Sequence, residues 1–290
     1  MTTNRFLITL TIILAAIMTL TLHSCKNNTQ LSKDEIVMDS LVFKDKVYLL
    51  EQVDTLLPYA DVNINFKYPA KFRDKESLIR LQQIVTGTFF NNIYLGELPP
   101  KEAFDAYIEE YSEEYKSLTN DYYNDKSHLG DGSIPNWYWY SRYMKNNVMF
   151  NDSKLLSISA EQYDYTGGAH GSFVVLYTNI DLDELVTISE EDIFKPNYQK
   201  PLAEIIVNRL MTEHKVDTRE GLLEIGFFDI DDSFPNNNFW ISDKGIHYAF
   251  NQYEIAPYVM GVIDVFIPYE DLNELLNSGT VIKHLLEEKE

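Results

Sequence analysis

The chain has 290 residues, with 24 lysines and arginines against 45 aspartates and glutamates, so its formal net charge is −21. This acidic balance repels nucleic-acid phosphates and anionic headgroups, which argues against a nucleic-acid-binding protein. It suits either simple solubility or attraction to a basic partner. Cys25 is the only cysteine, which excludes an internal disulfide framework.

The first 24 residues are predicted to be an export signal. Arg5 is the only charge before an apolar run over residues 6–22, and Leu-His-Ser then precedes Cys25. This is the pattern of a bacterial lipoprotein signal, although histidine is unusual at its position. We expect cleavage before Cys25 and lipidation of its thiol (diacylglycerol, palmitate). The chain would then be membrane-anchored on the periplasmic face or cell surface, with the outer membrane favoured. An uncleaved signal anchor is the alternative, because the run is near the shortest spanning length.

The next two segments are a polar tether over residues 25–38 and an N-terminal domain over residues 39–183. Apolar alternation in this domain predicts strands, and apolar residues at three- and four-residue spacing predict helices. Pro69 is expected to end the second strand. The predicted elements are strands at 41–50 and 61–68, helices at 75–94 and 101–118, a loop at 121–136, a strand at 137–144, and a hairpin of 154–164 with 172–183.

A glycine-rich motif, Tyr165-Thr-Gly-Gly-Ala-His-Gly171, connects the two hairpin strands. Glycine accepts positive φ and close backbone approach, so the motif predicts a tight turn. Two roles are open for His170. The favoured one is a hydrogen bond to neighbouring backbone that fixes the turn. The other is an acid/base pair with Glu254, with His247 as a possible third member.

A C-terminal domain is predicted over residues 184–272, followed by an acidic helical tail over 273–290. In the strand around His247, alternation places that side chain on the face opposite Ile246, Tyr248 and Phe250. The predicted elements are a capped turn at 187–194, a helix at 201–213, a short helix capped by Asp217, strands at 239–242, 245–254 and 261–268, and helices within 270–290.

Two motifs carry a family resemblance, Tyr-Thr-Gly-Gly-Ala-His at 165–170 and Tyr-Glu-Ile-Ala-Pro-Tyr at 253–258. Together with Ile-Ser-Glu-Glu-Asp-Ile-Phe at 188–194, they resemble a pair of adjoining domains of unknown function. This pair occurs in the non-catalytic N-terminal part of the peptidoglycan deacetylase PdaC and in the extracellular part of RsiV, an anti-sigma factor that senses lysozyme. The resemblance extends over residues 40–272.

The resemblance implies an α+β fold of two adjoining mixed helix/antiparallel-sheet domains. It further implies that the C-terminal domain resembles a subdomain of the actin-like ATPases, with an Hsp70-like shape. No nucleotide site follows from that shape, because fold does not fix function. The glycine motif also lacks the Lys-Ser or Lys-Thr that a phosphate-binding loop requires.

The residues offer little for a metal or cofactor, and we predict neither. The six histidines are at least 33 residues apart in the chain, so no short His pair is available as metal ligands. No His-x-x-x-His pair accompanies Asp231-Asp232. We therefore do not expect this chain to have the deacetylase activity of PdaC. The acidic stretch 229–234 departs from a calcium loop, with Phe234 at its glycine position.

The predicted function is that of a lipid-anchored binding module, for a basic protein such as lysozyme or for a cell-wall glycan (peptidoglycan fragment). An enzyme is the less favoured class. The alternative is a hydrolase of envelope polysaccharide that uses His170 and Glu254. The candidate binding residues are Trp137, Trp139, Tyr165, Gly167, Gly168, His170 and Tyr258.

Overall fold

The computed structural model describes residues 34–51, 56–129, 135–228 and 235–287. The predicted signal, Cys25 and the acidic stretch 229–234 lie outside the described residues. Across the described ranges, none of the helices combines the length and apolarity needed to cross a membrane.

The secondary structure alternates between strands and helices in two successive blocks. The first block comprises β1 (Val37–Tyr48), β2 (Tyr59–Lys71), α1 (Lys75–Phe90), α2 (Ile93–Gly96), α3 (Pro100–Ser117), α4 (Thr119–Leu129), β3 (Tyr140–Asn151), β4 (Leu155–Thr166), β5 (Ser172–Asp181) and β6 (Val186–Ile188). The second comprises α5 (Glu190–Ile193), α6 (Gln199–His214), α7 (Arg219–Glu224), β7 (Phe239–Ile241), β8 (Gly245–Phe250), β9 (Ile263–Pro268), α8 (Tyr269–Leu272) and α9 (Lys283–Glu287).

The six strands of the first block form one sheet in the order β1-β2-β3-β4-β5-β6. Neighbours are antiparallel except for β2 and β3, which run parallel. A parallel pair needs a long crossover, and helices α1 to α4 supply it. The α+β prediction is thus confirmed, but the first sheet is mixed rather than purely antiparallel.

The alternation predicted for the second strand is confirmed. Val62, Ile64 and Phe66 are buried on the face of β2 against which α1 and α3 pack. The prediction that Pro69 ends this strand is wrong, since β2 continues to Lys71. Proline removes a ladder donor, and the register with β1 shifts close by, which accommodates it.

Other boundaries in the first block also differ from the predicted ones, and β1 begins at Val37, within the predicted tether. The helix predicted over 75–94 ends at Phe90, because Asn91 adopts left-handed backbone (φ 48°) and Asn92 caps a separate turn, α2. The predicted loop 121–136 is largely the helix α4, which buries Tyr122 completely. The strand predicted from Trp137 starts three residues later, after a short 3₁₀ turn.

The second block packs its helices on a three-stranded antiparallel sheet, β7-β8-β9. As predicted, Ile246, Tyr248 and Phe250 are buried while His247 lies on the opposite, partly exposed face. The strand ends at Phe250 rather than at residue 254. Helix α7 is capped by Thr218, not by Asp217, because the Thr218 hydroxyl accepts from the Gly221 N–H.

Asparagine side chains join the two sheets where backbone pairing stops. The free edge of β5 is bonded by two buried residues, Asn238 and Asn251. Their Oδ1 atoms accept from Tyr177 N (2.9 Å) and Val175 N (2.8 Å), respectively, and both Nδ2 atoms donate to the Val175 carbonyl. Each amide directs one N–H and its carbonyl oxygen at β5, as a peptide group of a neighbouring strand would do.

Side chains of the first sheet bond the backbone of β7 in the same way. Asn179 Nδ2 donates to the Phe239 carbonyl at 2.8 Å, and its Oδ1 accepts from Ile241 N at 3.0 Å. Ser157 Oγ donates to the Ile241 carbonyl at 3.0 Å. We call Ser157, Asn179, Asn238 and Asn251 the amide seam.

A buried carboxylate lies at the start of the second block. Glu190 is 4% exposed, and its carboxylate accepts from Asn237 N (2.8 Å) and Tyr198 OH (3.0 Å). Burial outweighs these bonds and raises the pKa of Glu190 above its ordinary value of 4.5.

This raised pKa predicts a pH-dependent contribution to stability. Below about pH 4.5 the Glu190 carboxyl is protonated in both the folded and the unfolded chain, whereas above that pH the unfolded chain ionises first. Folding stability from this group therefore falls as pH rises towards the folded pKa. Urea unfolding should show Glu190→Gln gaining stability relative to the parent chain over that interval. A difference between the two chains that is independent of pH would contradict the assignment.

Candidate functional site

The two motifs that carry the family resemblance meet in space, at the junction of the two sheets. The imidazole of His170 stacks on the ring of Tyr258, with centroids 4.0 Å apart and planes inclined by 26°. His170 Nε2 lies 3.5 Å from the hydroxyl of Tyr253, which is 57% exposed. We call His170, Tyr253 and Tyr258 the loop cluster.

The hydrogen bonds of His170 define its tautomer. Nδ1 lies 3.2 Å from the carbonyl oxygen of Gly171, which can only accept, so Nδ1 carries the proton in that bond. Nε2, on the other side of the ring, faces the hydroxyl of Tyr253. His170 thus fixes its own turn and also faces a neighbouring aromatic loop.

Gly167 brings the backbone of Trp137 against the glycine loop. Its φ is +84°, and a Cβ built there would lie 1.9 Å from the carbonyl oxygen of Trp137. Trp137 is 41% exposed, and its indole N–H donates to Asp125, which also accepts from Tyr138 OH at 2.9 Å. Burial and the nearby Asp125 raise the pKa of Tyr138 to about 12. The backbone of Trp137 lies so close to the loop that position 167 has no room for a side chain.

Two exposed residues of this region, Tyr253 and Val259, are not among the candidates that the sequence indicates. Tyr253 adopts left-handed backbone (φ 68°), which is uncommon for a bulky side chain and often occurs at functional positions. Val259 is 86% exposed in the 3₁₀ turn after Pro257. Tyr253 and Val259 are exposed because of the path that the loop takes. That path cannot be predicted from the residue types alone.

The proposed acid/base group is not assembled within the described part of the chain. The Glu254 carboxylate accepts from Asn236 Nδ2 at 3.0 Å and from Asn251 Nδ2 at 3.4 Å, and no hydrogen bond joins it to His170. His247 instead stacks on Trp240, with centroids 4.0 Å apart, and contacts Asp264 at 3.1 Å.

The other predicted site residues lie around the glycine loop with different exposures. Trp139 is half-buried in the extended link before β3, and Tyr165 is half-buried opposite Ser141 on β3. Gly168 is exposed within the loop itself. Among residues 34–51, 56–129, 135–228 and 235–287, no group of three or more His, Cys, Asp or Glu is arranged to hold a metal ion.

Comparisons with known proteins match the two blocks separately. Residues 61–173, which include Trp137 and His170, match the family model described as Deacetylase PdaC. Residues 191–270, which include Tyr253 and Tyr258, match the model described as Protein of unknown function (DUF3298). The peptidoglycan-N-acetylmuramic acid deacetylase PdaC of Bacillus subtilis (strain 168) is 27% identical over 130 residues. That alignment covers 44% of this chain and 27% of the deacetylase.

Solved structures extend the likeness over most of the chain. A crystallised member of the DUF3298 family from Bacteroides fragilis NCTC 9343 is 30% identical, with a TM-score of 0.80. The alignment covers 88% of this chain and 99% of that one. A DUF3298-family protein from Pseudomonas aeruginosa PAO1 shares the fold, at 16% identity and a TM-score of 0.60 over 85% and 97% of the two chains. The chain belongs to the DUF3298 family.

Proposed function

We propose that the chain is an envelope lipoprotein, anchored through Cys25, whose loop cluster binds a basic protein of the lysozyme type. The observation that carries this proposal is the meeting of the two motifs in one aromatic cluster, in which His170 and Tyr253 are exposed and Tyr258 is half-buried. Exposed aromatic side chains on adjoining loops are the usual anchors of protein interfaces. The PdaC relative and the resemblance to the lysozyme-sensing RsiV support a role in the cell envelope.

Charge supports a basic partner over other ligands. The formal net charge of −21 creates a negative field that attracts a cationic protein and raises its association rate. Aromatic rings at the contact would then supply affinity, because their burial is not screened by salt. Raising the ionic strength should therefore slow association much more than it speeds dissociation.

Calorimetry with a purified lysozyme tests the proposal directly. Tyr258→Ala removes the ring on which His170 stacks, and we expect binding to weaken about tenfold or more, which is about 1.4 kcal/mol. Val42→Ala, at an exposed position on the distant strand β1, is the matched control and should bind as the parent chain does.

Muropeptides form the second arm of the same experiment. Binding of muropeptides in place of lysozyme, lost in Tyr258→Ala, would reassign the loop cluster to a cell-wall glycan. The absence of heat with both ligands at micromolar concentration would contradict the binding function altogether.

A hydrolase is the second candidate, and it rests on His170 and Glu254. The bonds of the Glu254 carboxylate to Asn236 and Asn251 count against it, since the carboxylate would have to move to reach His170. Release of soluble sugars from peptidoglycan, abolished in both His170→Ala and Glu254→Ala, would favour this candidate over the binding module.

A further inference from the structure

One row of aromatic rings continues from the second sheet onto the first. Trp240, His247 and Phe266 are direct cross-strand partners on β7, β8 and β9, so their side chains share one face of the second sheet. The His247 ring lies between the other two, with centroids 4.0 Å from Trp240 and 4.7 Å from Phe266. Tyr177, on β5, is the next ring beyond Trp240. We call Tyr177, Trp240, His247 and Phe266 the aromatic row.

The aromatic row lies on the sheet faces opposite to the helix-packed cores. In the second sheet, Ile246 and Tyr248 pack into the helical core, and His247 between them points to the other side. In the first sheet, the register places Val174 on the same face as Ile64, against which α1 packs. Tyr177 is three residues after Val174 and therefore lies on the other face. The rings of the row are all half-buried, so part of each remains accessible to a partner molecule.

The indole of Trp240 is stacked on one side only among the described residues. Its plane is inclined by 12° to that of His247, which is a stacked contact. Tyr177 is 6.4 Å away with its plane inclined by 42°, so these two rings do not stack. The face of an aromatic ring carries negative electrostatic potential, and indole attracts cations more strongly than the other aromatic side chains. The row therefore offers a surface suited to a cation.

Two carboxylates lie beside the row, and one of them lacks a cationic side-chain partner. Glu161 forms an ion pair with Lys145 Nζ at 3.0 Å. Asp264 Oδ1 lies 3.1 Å from His247 Nδ1, and no lysine or arginine of the described ranges pairs with this carboxylate, which is 49% exposed. Burial, followed by the charges of Asp264 and Glu161, raises the pKa of Tyr177 to about 12. The Asp264 carboxylate is thus close to the ring of Tyr177 as well as to His247.

We propose that Tyr177, Trp240 and Asp264 form a second contact site for the basic partner, at which an arginine side chain stacks on the rings and bonds the Asp264 carboxylate. This inference rests on the proposed binding of a basic protein. Arginine suits the site better than lysine, because its planar guanidinium can stack on a ring while its N–H groups donate to a carboxylate. The formal net charge of −21 is complementary to such a cation.

The second contact site is close enough to the loop cluster for one partner to contact both. Strand β5 begins at Ser172, directly after the glycine motif, and Tyr177 is five residues further, a distance of about 17 Å along the strand. Strand β8, which carries His247, ends at Phe250, three residues before Tyr253. A typical protein interface covers about 800 Å² of each partner and is therefore about 30 Å across.

Calorimetry with a purified lysozyme at physiological ionic strength tests the second contact site. Asp264→Asn keeps the size of the side chain but removes its charge, and we expect binding to weaken about fivefold to tenfold. Glu110→Gln is the matched control. It removes one charge from an exposed position of α3, which packs on the other face of the first sheet, and it should bind as the parent chain does.

Chemical modification of the lysozyme tests whether the bound group is arginine. Capping its arginines with cyclohexanedione should abolish the difference in affinity between the parent chain and Asp264→Asn. Reductive methylation of its lysines keeps their charge and should leave that difference intact. A difference that survives the capping of arginines would overturn the assignment to arginine.

The outcomes separate the two proposals, once circular dichroism has shown that each variant is folded. Binding that is weakened in Tyr258→Ala but equal in Asp264→Asn and Glu110→Gln would overturn the second contact site alone. The absence of lysozyme binding by the parent chain would overturn the proposed function and the second contact site together.

Discussion

Replacing Gly167 by alanine is expected to destabilise the fold by about 3 kcal/mol or more. Two independent costs add at this position. A side chain disfavours the φ of +84°, and its Cβ would overlap the Trp137 carbonyl, at 1.9 Å. The loop cannot relieve the overlap by a rotamer change, because both partners are backbone. Either the strand β4 or the 3₁₀ turn at Trp137 must shift.

Gly168→Ala is the matched control for this prediction. The nearest atom to a Cβ at position 168 is the His170 carbonyl oxygen at 3.9 Å, which is ordinary contact. We expect a change within about 0.5 kcal/mol. Urea unfolding followed by circular dichroism measures both variants. Equal losses of stability in the two would show that the contact between Gly167 and Trp137 does not constrain the loop.

Removing one amide of the seam is the second large expected effect. Asn251→Ala leaves the Val175 N–H without its acceptor at 2.8 Å and removes one of two donors to the Val175 carbonyl. Val175 and Asn251 are both buried, so the lost groups are not replaced by bulk water. We expect the free energy of unfolding to fall by about 2 to 4 kcal/mol.

The matched control for the seam is Asn208→Ala. Asn208 is an exposed asparagine of helix α6, where alanine has the higher helix propensity, so stability should be unchanged or slightly increased. Urea unfolding of Asn251→Ala that matched Asn208→Ala would mean that the backbone edge of β5 does not depend on the seam.

The elements predicted well are those whose signal is local. The alternation of Val62, Ile64 and Phe66 reports a half-buried strand directly, and the hairpin around the glycine motif is confirmed as β4 and β5. The predicted capped turn is also confirmed, because Ser189 and Asp192 form their reciprocal bonds within four residues. Each of these signals lies within a few residues of the structure that it determines.

The failures concern structure that depends on distant partners. Helix α4 has a polar composition, and its burial of Tyr122 against Tyr138 cannot be inferred from its own residues. The parallel pairing of β2 with β3 joins strands separated by about 70 residues of helical crossover. The polar, glycine-containing composition of residues 121–136 predicts a loop, although residues 121–129 belong to helix α4.

The candidate site falls between these two cases. The family resemblance singles out both motifs, and His170 and Tyr258 lie within them. Their stacking at 4.0 Å depends on the seam, because Asn251 holds the loop that carries Tyr258 against the edge of β5. Long-range side-chain bonds of this kind have no periodicity, so the meeting of the motifs could not be predicted.

The amide seam also has a consequence for how the protein behaves when crowded with copies of itself. An open strand edge is a template on which another chain can add and begin to aggregate. On β5 the groups that would serve as that template, the N–H and C=O of Val175 and the N–H of Tyr177, are occupied by side chains. The opposite border of the sheet, β1, carries Lys44 and Lys46, charges that oppose strand addition. The same asparagines that join the sheets therefore keep the larger one from growing.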